Sequence, residues 1–168
     1  MSMAEPIIIV PYDPAWPDTF ARLKDGIVAA LGTTVLRVEH VGSTSIAGLA
    51  AKPVIDIDAV IATEADIPEA IRKLAAVGYI HEGERGIARR HAFTQPSGLP
   101  VHHLYVCDAR SPELQRHIAF RDYLRSNPIE AARYGALKER LAMQFSCDRD
   151  GYTDAKSAFI AEALAVSR

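Results

Sequence analysis

The spacing of hydrophobic residues predicts a short strand over residues 7–10, followed by a helix. Asp13 is the predicted N-cap of this helix, with Pro14 in its first turn, and Gly32 is the predicted end. One side of the helix is hydrophobic, and we expect it to face the core through Trp16, Phe20, Leu23, Ile27 and Leu31.

Strand-like runs surround a second amphipathic helix in the next part of the chain. This helix is predicted over residues 66–77 and ends before Gly78, with hydrophobic residues on one side and charges on the other. The predicted strands are residues 35–41, 54–61, 79–81, 89–94 and 101–107.

The remainder of the chain is predicted to be helical. A Ser-Pro pair at 111–112, an Asn-Pro pair at 127–128 and a turn at 148–151 divide it into helices over residues 111–126, 129–145 and 153–166. The pattern as a whole predicts an α+β fold. At 168 residues we expect a single domain, with a mixed α/β core over 1–108 and a helical part over 109–168.

Two carboxylates occupy alternate positions of the predicted strand at 54–61. Asp56 and Asp58 therefore project from one face, while Ile55, Ile57, Ala59 and Ile61 line the other. Divalent cations such as Mg²⁺ are commonly bound by one or two carboxylates together with substrate phosphates. A solvated edge strand is the structural alternative, but the apolar residues on both sides of the pair favour a buried strand.

A turn of small polar residues precedes the aspartate strand. It contains Gly42, Ser43, Thr44 and Ser45, whose backbone amides and hydroxyls are suited to binding an anion. An ordinary polar turn is the alternative interpretation. Together, the turn and the carboxylates predict metal-assisted phosphate chemistry.

Several blocks of the sequence resemble the GrpB family, also called UPF0157. This family belongs to the nucleotidyltransferase superfamily, which has a DNA polymerase beta-like fold. The blocks cover nearly the whole chain in order: YDPAWPDTF, HVGSTSIAGLAAKPVIDI, VHHLYV, AFRDYLRSNP, YGALKERLA and YTDAKSAFIAEAL. The resemblance implies a nucleotidyltransferase-like mixed β-sheet with flanking helices and a C-terminal helical part.

The resemblance also implies roles for individual residues. Gly42 and Ser43 would grip phosphate, and Asp56 and Asp58 would bind metal. Enzymes of this superfamily usually carry a third carboxylate on a neighbouring strand. The matching segment here is VHHLYV, which has histidines and no acid, and Tyr105 stands where family members commonly have another histidine.

Four basic residues recur in the family pattern and are expected to contact phosphates: Lys52, Arg121, Lys138 and Lys156. Local ion pairs on solvated helix faces are the alternative for each of them.

Histidines offer a further set of ligands. His40, His102 and His103 would lie near the aspartates if their strands are neighbours, and such a site would suit Zn²⁺ or Mn²⁺ better than Mg²⁺. Adjacent strand residues face opposite ways, so at most one of His102 and His103 shares the aspartate side, and we assign His103 to it as a catalytic residue and metal ligand. The other histidines, His81, His91 and His117, are expected to be surface or packing residues.

Composition limits the partners. The formal net charge of −2 argues against a long nucleic acid, and no segment approaches the ~20 apolar residues of a membrane span. The two cysteines, Cys107 and Cys147, have no Cys-x-x-Cys spacing, which favours a reduced compartment. We therefore expect a cytoplasmic protein without a membrane partner.

Three functions fit these features. The first is transfer of a nucleoside monophosphate from a nucleoside triphosphate to a small-molecule or protein acceptor, with Mg²⁺, or Mn²⁺ or Zn²⁺ in its place. The second is a non-catalytic nucleotide-binding or accessory domain, which the missing third acid favours. The third is a metal-dependent hydrolase that uses the histidines and aspartates around a metal-bound water.

Overall fold

A mixed five-stranded sheet with flanking helices organises residues 5–167, which are the part of the chain that this computed structural model describes. The strands are β1 Val35–Val41, β2 Ile55–Ile61, β3 Ile80–His81, β4 Arg90–Thr94 and β5 His102–Asp108. The helices are α1 Trp16–Leu31, α2 Ile67–Ala76, α3 Pro112–Ser126, α4 Pro128–Gln144 and α5 Arg149–Val166. This architecture confirms the predicted α+β class.

The aspartate strand lies inside the sheet. The strand order is β1-β2-β5-β4-β3, so β2 has neighbours on both sides. It pairs antiparallel with β1 and parallel with β5, and the remaining pairs are antiparallel. In this register Asp56 lies beside His103 and Asp58 beside Tyr105. The carboxylates are therefore not on a solvated edge strand.

Helices α1 and α2 cover one face of the sheet. The hydrophobic stripe predicted for α1 packs there, with Leu31 fully buried and Phe20 at the margin of the core. Ile57 and Leu104 are buried on the sheet side of this interface. Burial of this apolar surface provides the main driving force for folding.

The opposite face, which carries the aspartates, is covered by the C-terminal helices. Leu114 of α3 packs on Val60 and Cys107 at one end of this face. Two smaller clusters join α4 and α5 to the loop after β1 and to the N-terminal segment, through Tyr134 and Tyr152 respectively. The helical part therefore encloses the carboxylate face instead of standing apart from the sheet.

Three local predictions were wrong. Residues 7–10 form no strand and make only one bridge, between Val10 and Ala51. Helix α1 begins at Trp16, because Asp13 accepts a hydrogen bond from the Ala15 amide and so forms a turn before the helix. The predicted turn at 148–151 is the start of α5, with the Asp148 side chain accepting a hydrogen bond from the Gly151 amide.

No helix within residues 5–167 is both long and apolar enough to cross a membrane.

Replacing Ile57 by Ala tests the packing of β2. Ile57 is completely buried, so the truncation should leave a cavity and lower the free energy of unfolding by about 2–5 kcal/mol in urea denaturation. Ile129→Ala is the matched control, because Ile129 is 77% exposed and its truncation should change stability by less than ~0.5 kcal/mol. Similar losses for both variants would contradict the placement of Ile57 in the core.

Candidate active site

A cavity of about 390 Å³ lies where the carboxylate face meets the turn after β1 and the last two helices. Eight of the eleven predicted site residues line it: Gly42, Ser43, Thr44, Lys52, Asp56, His103, Lys138 and Lys156. Asp58, Ser45 and Arg121 do not line it. The structure therefore brings together residues that are up to 114 positions apart in the sequence.

Gly42 lets the backbone approach the carboxylate of Asp56. Its φ of 72° lies in the left-handed region, and a Cβ built there would overlap Asp56 Oδ2 and lie 3.0 Å from Asp56 Cγ. Ser45 secures the turn by donating its hydroxyl to the Gly42 carbonyl. Thr44 is hydrogen-bonded to His40 at 2.9 Å. Only glycine satisfies both the backbone conformation and the close approach at position 42.

Asp56 and His103 face each other at the edge of the cavity. Asp56 Oδ1 is 2.9 Å from His103 Nδ1, and both side chains are partly exposed. The parallel register of β2 and β5 causes this contact, since these two residues are direct partners. His102 faces the other way and is hydrogen-bonded to the Tyr79 hydroxyl and the Pro100 carbonyl. His103 therefore lies on the aspartate side.

Asp58 is fully buried and bound by a histidine that we did not predict for the site. His117 Nδ1 is 2.6 Å from Asp58 Oδ2, and its Nε2 is 3.1 Å from Glu113 Oε1. Burial opposes the charged ring, but hydrogen bonds to Asp58 and Glu113 outweigh burial and raise the pKa of His117 to about 9. His117, which we expected to be a surface or packing residue, therefore contacts Asp58 and lines the cavity.

Two of the predicted metal ligands face the cavity. Asp56 and His103 offer an oxygen and a nitrogen there, and Asp58 Oδ1 is buried behind them without a hydrogen-bond partner among the described residues. Within residues 5–167 the ligand atoms of Asp56, Asp58 and His103 do not form a group in which all lie within 4.8 Å of one another; Glu64, Glu84 and His91 do. The other oxygen of Asp58 is occupied by His117.

Three lysines converge on the cavity from different elements. The Lys52 and Lys156 amines lie 4.9 and 4.4 Å from the Tyr152 ring centroid, and the Lys138 amine donates to the Ala50 carbonyl at 2.6 Å. Within residues 5–167 none of the three lysines forms a salt bridge with a carboxylate. The cavity therefore holds surplus positive charge.

Burial and mutual repulsion lower the pKa values of these amines. Burial and the neighbouring Lys156 bring the pKa of Lys138 to about 7. Burial and Lys52 bring the pKa of Lys156 to about 8, and burial together with Arg149 lowers the pKa of Lys52. Cations that are desolvated without a partner gain stability when an anion enters.

Arg121 is engaged elsewhere. Its guanidinium donates hydrogen bonds to the carboxylates of Glu39 and Asp122 and to the His40 carbonyl. Arg121 therefore links α3 to β1. The expected phosphate contact of Arg121 has no counterpart in this geometry, because Nε and Nη1 already bind these partners and Arg121 does not line the cavity.

Sequence reasoning did not identify several cavity residues, including Arg90, which stacks over the Tyr105 ring at 4.2 Å. The helical spacing of α3 could have indicated that His117 faces the sheet. This residue lies three residues after Leu114 and four before Arg121 on the predicted α3, so the three side chains share one side of the helix.

Sequence comparisons relate this chain to known proteins. A family model described as GrpB protein matches residues 6–165. The UPF0157 protein YqkA of Bacillus subtilis is 33% identical over 92% of this chain and 45% of its own length. The UPF0157 protein PA4798 of Pseudomonas aeruginosa is 35% identical over 94% of this chain and 66% of its own length. The chain thus spans less than two thirds of each of these two relatives.

Solved structures extend the comparison. The GrpB protein from Enterococcus faecalis superposes with a TM-score of 0.85 at 34% identity and covers 95% of this chain and 96% of that one. Cid1 in complex with ApU has a TM-score of 0.52 at 14% identity, over 77% of this chain and 40% of its own. At this identity the likeness to Cid1 establishes a nucleotidyltransferase-like fold alone.

The close approach at Gly42 can be measured by substitution. Gly42→Ala should lower the free energy of unfolding by about 2–5 kcal/mol, since both the backbone strain and the overlap with Asp56 oppose the methyl group. Gly48→Ala is the matched control: Gly48 also has positive φ, but nothing lies within 4 Å of its Cβ position, so only strain of about 1–2 kcal/mol should appear. Equal losses in urea unfolding would refute the overlap.

The lowered pKa of Lys138 predicts a pH-dependent stability. Between about pH 7 and pH 9 the unfolded chain keeps this proton while the folded protein loses it, so this amine makes stability rise with pH, by at most about 1.4 kcal/mol per pH unit. Relative to wild type, Lys138→Met should therefore be most stabilising near pH 7 and lose that advantage towards pH 9. The control Lys24→Met removes an exposed amine and should retain the wild-type profile of unfolding free energy against pH. A constant difference between wild type and Lys138→Met would contradict the assignment.

Proposed function

This chain belongs to the GrpB family, and we propose that it is a metal-dependent nucleotidyltransferase that transfers a nucleoside monophosphate from a nucleoside triphosphate to an acceptor hydroxyl. The observation that carries this proposal is the convergence of three lysines on the cavity that contains Asp56, none of them paired with a carboxylate of the described residues. Its volume of about 390 Å³ lies within the range of roughly 300–1,000 Å³ that is usual for small-molecule sites.

The lysines suit the outer phosphates of the nucleotide. Lys138 and Lys156 come from α4 and α5, and Lys52 comes from the loop before β2, so their charges approach the cavity from separate elements. Burial and mutual repulsion lower the pKa values of these amines, and the negative charge of a triphosphate would raise them again. In the reaction, the same amines would neutralise the charge that grows on the departing pyrophosphate.

Asp56 and His103 would hold one Mg²⁺ or Mn²⁺ at the cavity, with Asp58 behind them on the same face of β2. When bound, such an ion screens phosphate charge and polarises the phosphoryl group. The imidazole ligand suits Mn²⁺ or Zn²⁺ better than Mg²⁺. Gly42 allows the Asp56 carboxylate to lie close to the turn at Ser43 and Thr44, which lines the cavity.

The transfer step exchanges one phosphorus–oxygen bond for another. The acceptor oxygen forms a bond to the α phosphorus, the bond from that phosphorus to the bridging oxygen breaks, and pyrophosphate leaves with that electron pair. The acceptor proton passes to a base or to solvent. His103 is our choice for the role that a third carboxylate plays elsewhere in the superfamily, because it is the register partner of Asp56.

The fold supports a nucleotide as the substrate class. The Cid1 structures are described as those of a poly(U) polymerase, and one has MgGTP bound. That activity is stated for Cid1 and not for this chain. A net charge of −2 argues for a small-molecule or protein acceptor rather than a long nucleic acid.

A non-catalytic nucleotide-binding domain is the second candidate. One specific observation favours it: the β5 residues beside Asp56 and Asp58 are His103 and Tyr105, so neither register position has a carboxylate. A dephospho-CoA kinase of Mycolicibacterium paratuberculosis, 30% identical, matches 94% of this chain with 45% of its own length, which fits an accessory segment of a larger protein. A metal-dependent hydrolase is less well supported. The described part of the cavity offers only two histidines as metal ligands, His103 and His117, and His117 is already hydrogen-bonded to Asp58.

Thermal unfolding with ATP, GTP, CTP or UTP, each with Mg²⁺ or Mn²⁺, tests the shared element of both candidates. At about 100 times the Kd, a bound nucleotide adds ~2.7 kcal/mol to stability, which corresponds to a rise in Tm of roughly 5–10 °C. Asp56→Asn should remove the metal-dependent part of the rise, and Lys156→Gln should weaken it for every nucleotide.

Lys24→Gln is the control and should keep the full rise, because Lys24 is exposed on α1. No rise in the wild type with any nucleotide and metal would refute both candidates. Where the rise occurs, release of pyrophosphate in the presence of hydroxyl acceptors supports the transferase, and binding without release across the acceptor panel supports the accessory domain.

A further inference from the structure

Glu64, Glu84 and His91 bring their ligand atoms together from three separate segments. Glu64 begins the short 3-10 helix Glu64–Asp66 after β2, Glu84 lies in the loop between β3 and β4, and His91 lies on β4. One carboxylate oxygen or ring nitrogen from each residue lies within 4.8 Å of the atoms offered by the other two. Carboxylate oxygens and imidazole nitrogens are ligands by which proteins bind Zn²⁺.

This cluster lies on the other face of the sheet from the cavity that contains Asp56. Successive residues of a strand point to opposite faces, and Arg90, the residue before His91, lines that cavity. His91 pairs with Val106, which belongs to the core under α1 and α2, and its Nε2 lies 3.1 Å from Glu64 Oε2. An ion in this cluster would therefore be separate from the metal of the proposed function.

The carboxylate of Glu64 has one oxygen to spare. Its Oε1 is buried and has no hydrogen-bond partner among the described residues, whereas Oε2 faces His91. A buried acceptor without a donor costs free energy. A cation coordinated by this carboxylate would supply the missing partner.

Nearby charges leave the cluster negative. Arg89 is committed to Asp108, since its Nε and Nη2 donate to both oxygens of that buried carboxylate. Glu84 Oε1 accepts the Arg89 amide at 2.7 Å, which holds the loop residue in place without neutralising it. Within residues 5–167 neither Glu64 nor Glu84 forms a salt bridge with a lysine or an arginine. A divalent cation would balance these two carboxylates.

His81 is placed to orient His91. Its Nε2 lies 3.1 Å from His91 Nδ1, and the two rings are stacked with their centroids 5.3 Å apart. A metal at Nε2 of His91 requires the ring hydrogen on Nδ1, where His81 can accept it. Partners of this kind fix the orientation of a metal-bound histidine.

We propose that Glu64, Glu84 and His91 form a Zn²⁺ site that ties the loop between β3 and β4 to the segment after β2, with His81 as a positioning residue. Three protein ligands leave the fourth position of a tetrahedral zinc ion to water. This site goes beyond the proposed function and does not depend on it.

Isothermal titration calorimetry with Zn²⁺ alone, without nucleotide, tests the site. Glu84→Gln removes a ligand from an exposed loop position and should weaken the binding by at least about tenfold. His81→Phe keeps an aromatic contact with Phe93 and should weaken it by roughly 10–100-fold. The control Glu162→Gln, at an exposed position of α5, should keep the wild-type affinity. Circular dichroism establishes that each variant is folded.

The same titrations on Asp56→Asn separate this site from the cavity. Asp56 lines the cavity on the other face of the sheet, so an ion bound by the cluster should keep its affinity in this variant. X-ray absorption at the zinc edge should show nitrogen and oxygen ligands only.

A wild type that binds no Zn²⁺, or an unchanged affinity in Glu84→Gln, would overturn the proposal. Binding that is lost in Asp56→Asn and kept in Glu84→Gln would overturn it too, because the ion would then belong to the cavity. A sulfur ligand at the zinc edge would assign the ion to the exposed Cys147 and have the same consequence. None of these results bears on the nucleotide-dependent rise in Tm, by which the proposed function fails or stands.

Discussion

The presence of two carboxylates on one face of an internal strand is the constraint on which this structure depends. Asp56 and Asp58 share one face of β2, and a charge removed from water costs several kcal/mol unless it is paired. The protein meets that cost differently at each position. Asp56 remains at the cavity beside His103, whereas Asp58 is closed off by the His117–Glu113 pair. Helix α3 supplies both residues of that pair.

The two halves of the fold therefore depend on each other. The sheet alone would leave Asp58 without a counter-charge, and that charge comes from α3. Helices α4 and α5 then bring Lys138 and Lys156 to the same cavity. The C-terminal helices thus complete a site whose carboxylates lie on the sheet.

Much of the fold followed from the sequence because its signals are local. The hydrophobic stripe of α1, the alternation in β2 and the proline-marked starts of α3 and α4 each lie within a few residues. The wrong predictions arose where a local pattern had two outcomes. Asp13 before a proline can cap a helix or form a turn, and the polar run before Gly151 can be a loop or a first helical turn.

The site was less accessible to prediction, because it is built by contacts between distant residues. The alternation of β5 showed that only one of two adjacent histidines can share the aspartate face, and the register identifies it as His103. No local pattern relates His117 to Asp58, which lies 59 residues earlier. Family resemblance grouped Arg121 with the lysines, but its actual partners, Glu39 and Asp122, depend on the packing of α3 against β1.

The lysines indicate a site that is arranged for a ligand rather than for stability. Lys138 is 2% exposed and has a backbone carbonyl as its hydrogen-bond acceptor, where a methionine of similar length would pack without desolvating a charge. Two further amines near it add repulsion, which the folded protein tolerates. Such an arrangement lowers stability in the free protein and becomes favourable only when an anion is present. In the proposed function, the phosphates of a nucleotide would balance the lysines, and a metal ion would link those phosphates to the carboxylate of Asp56.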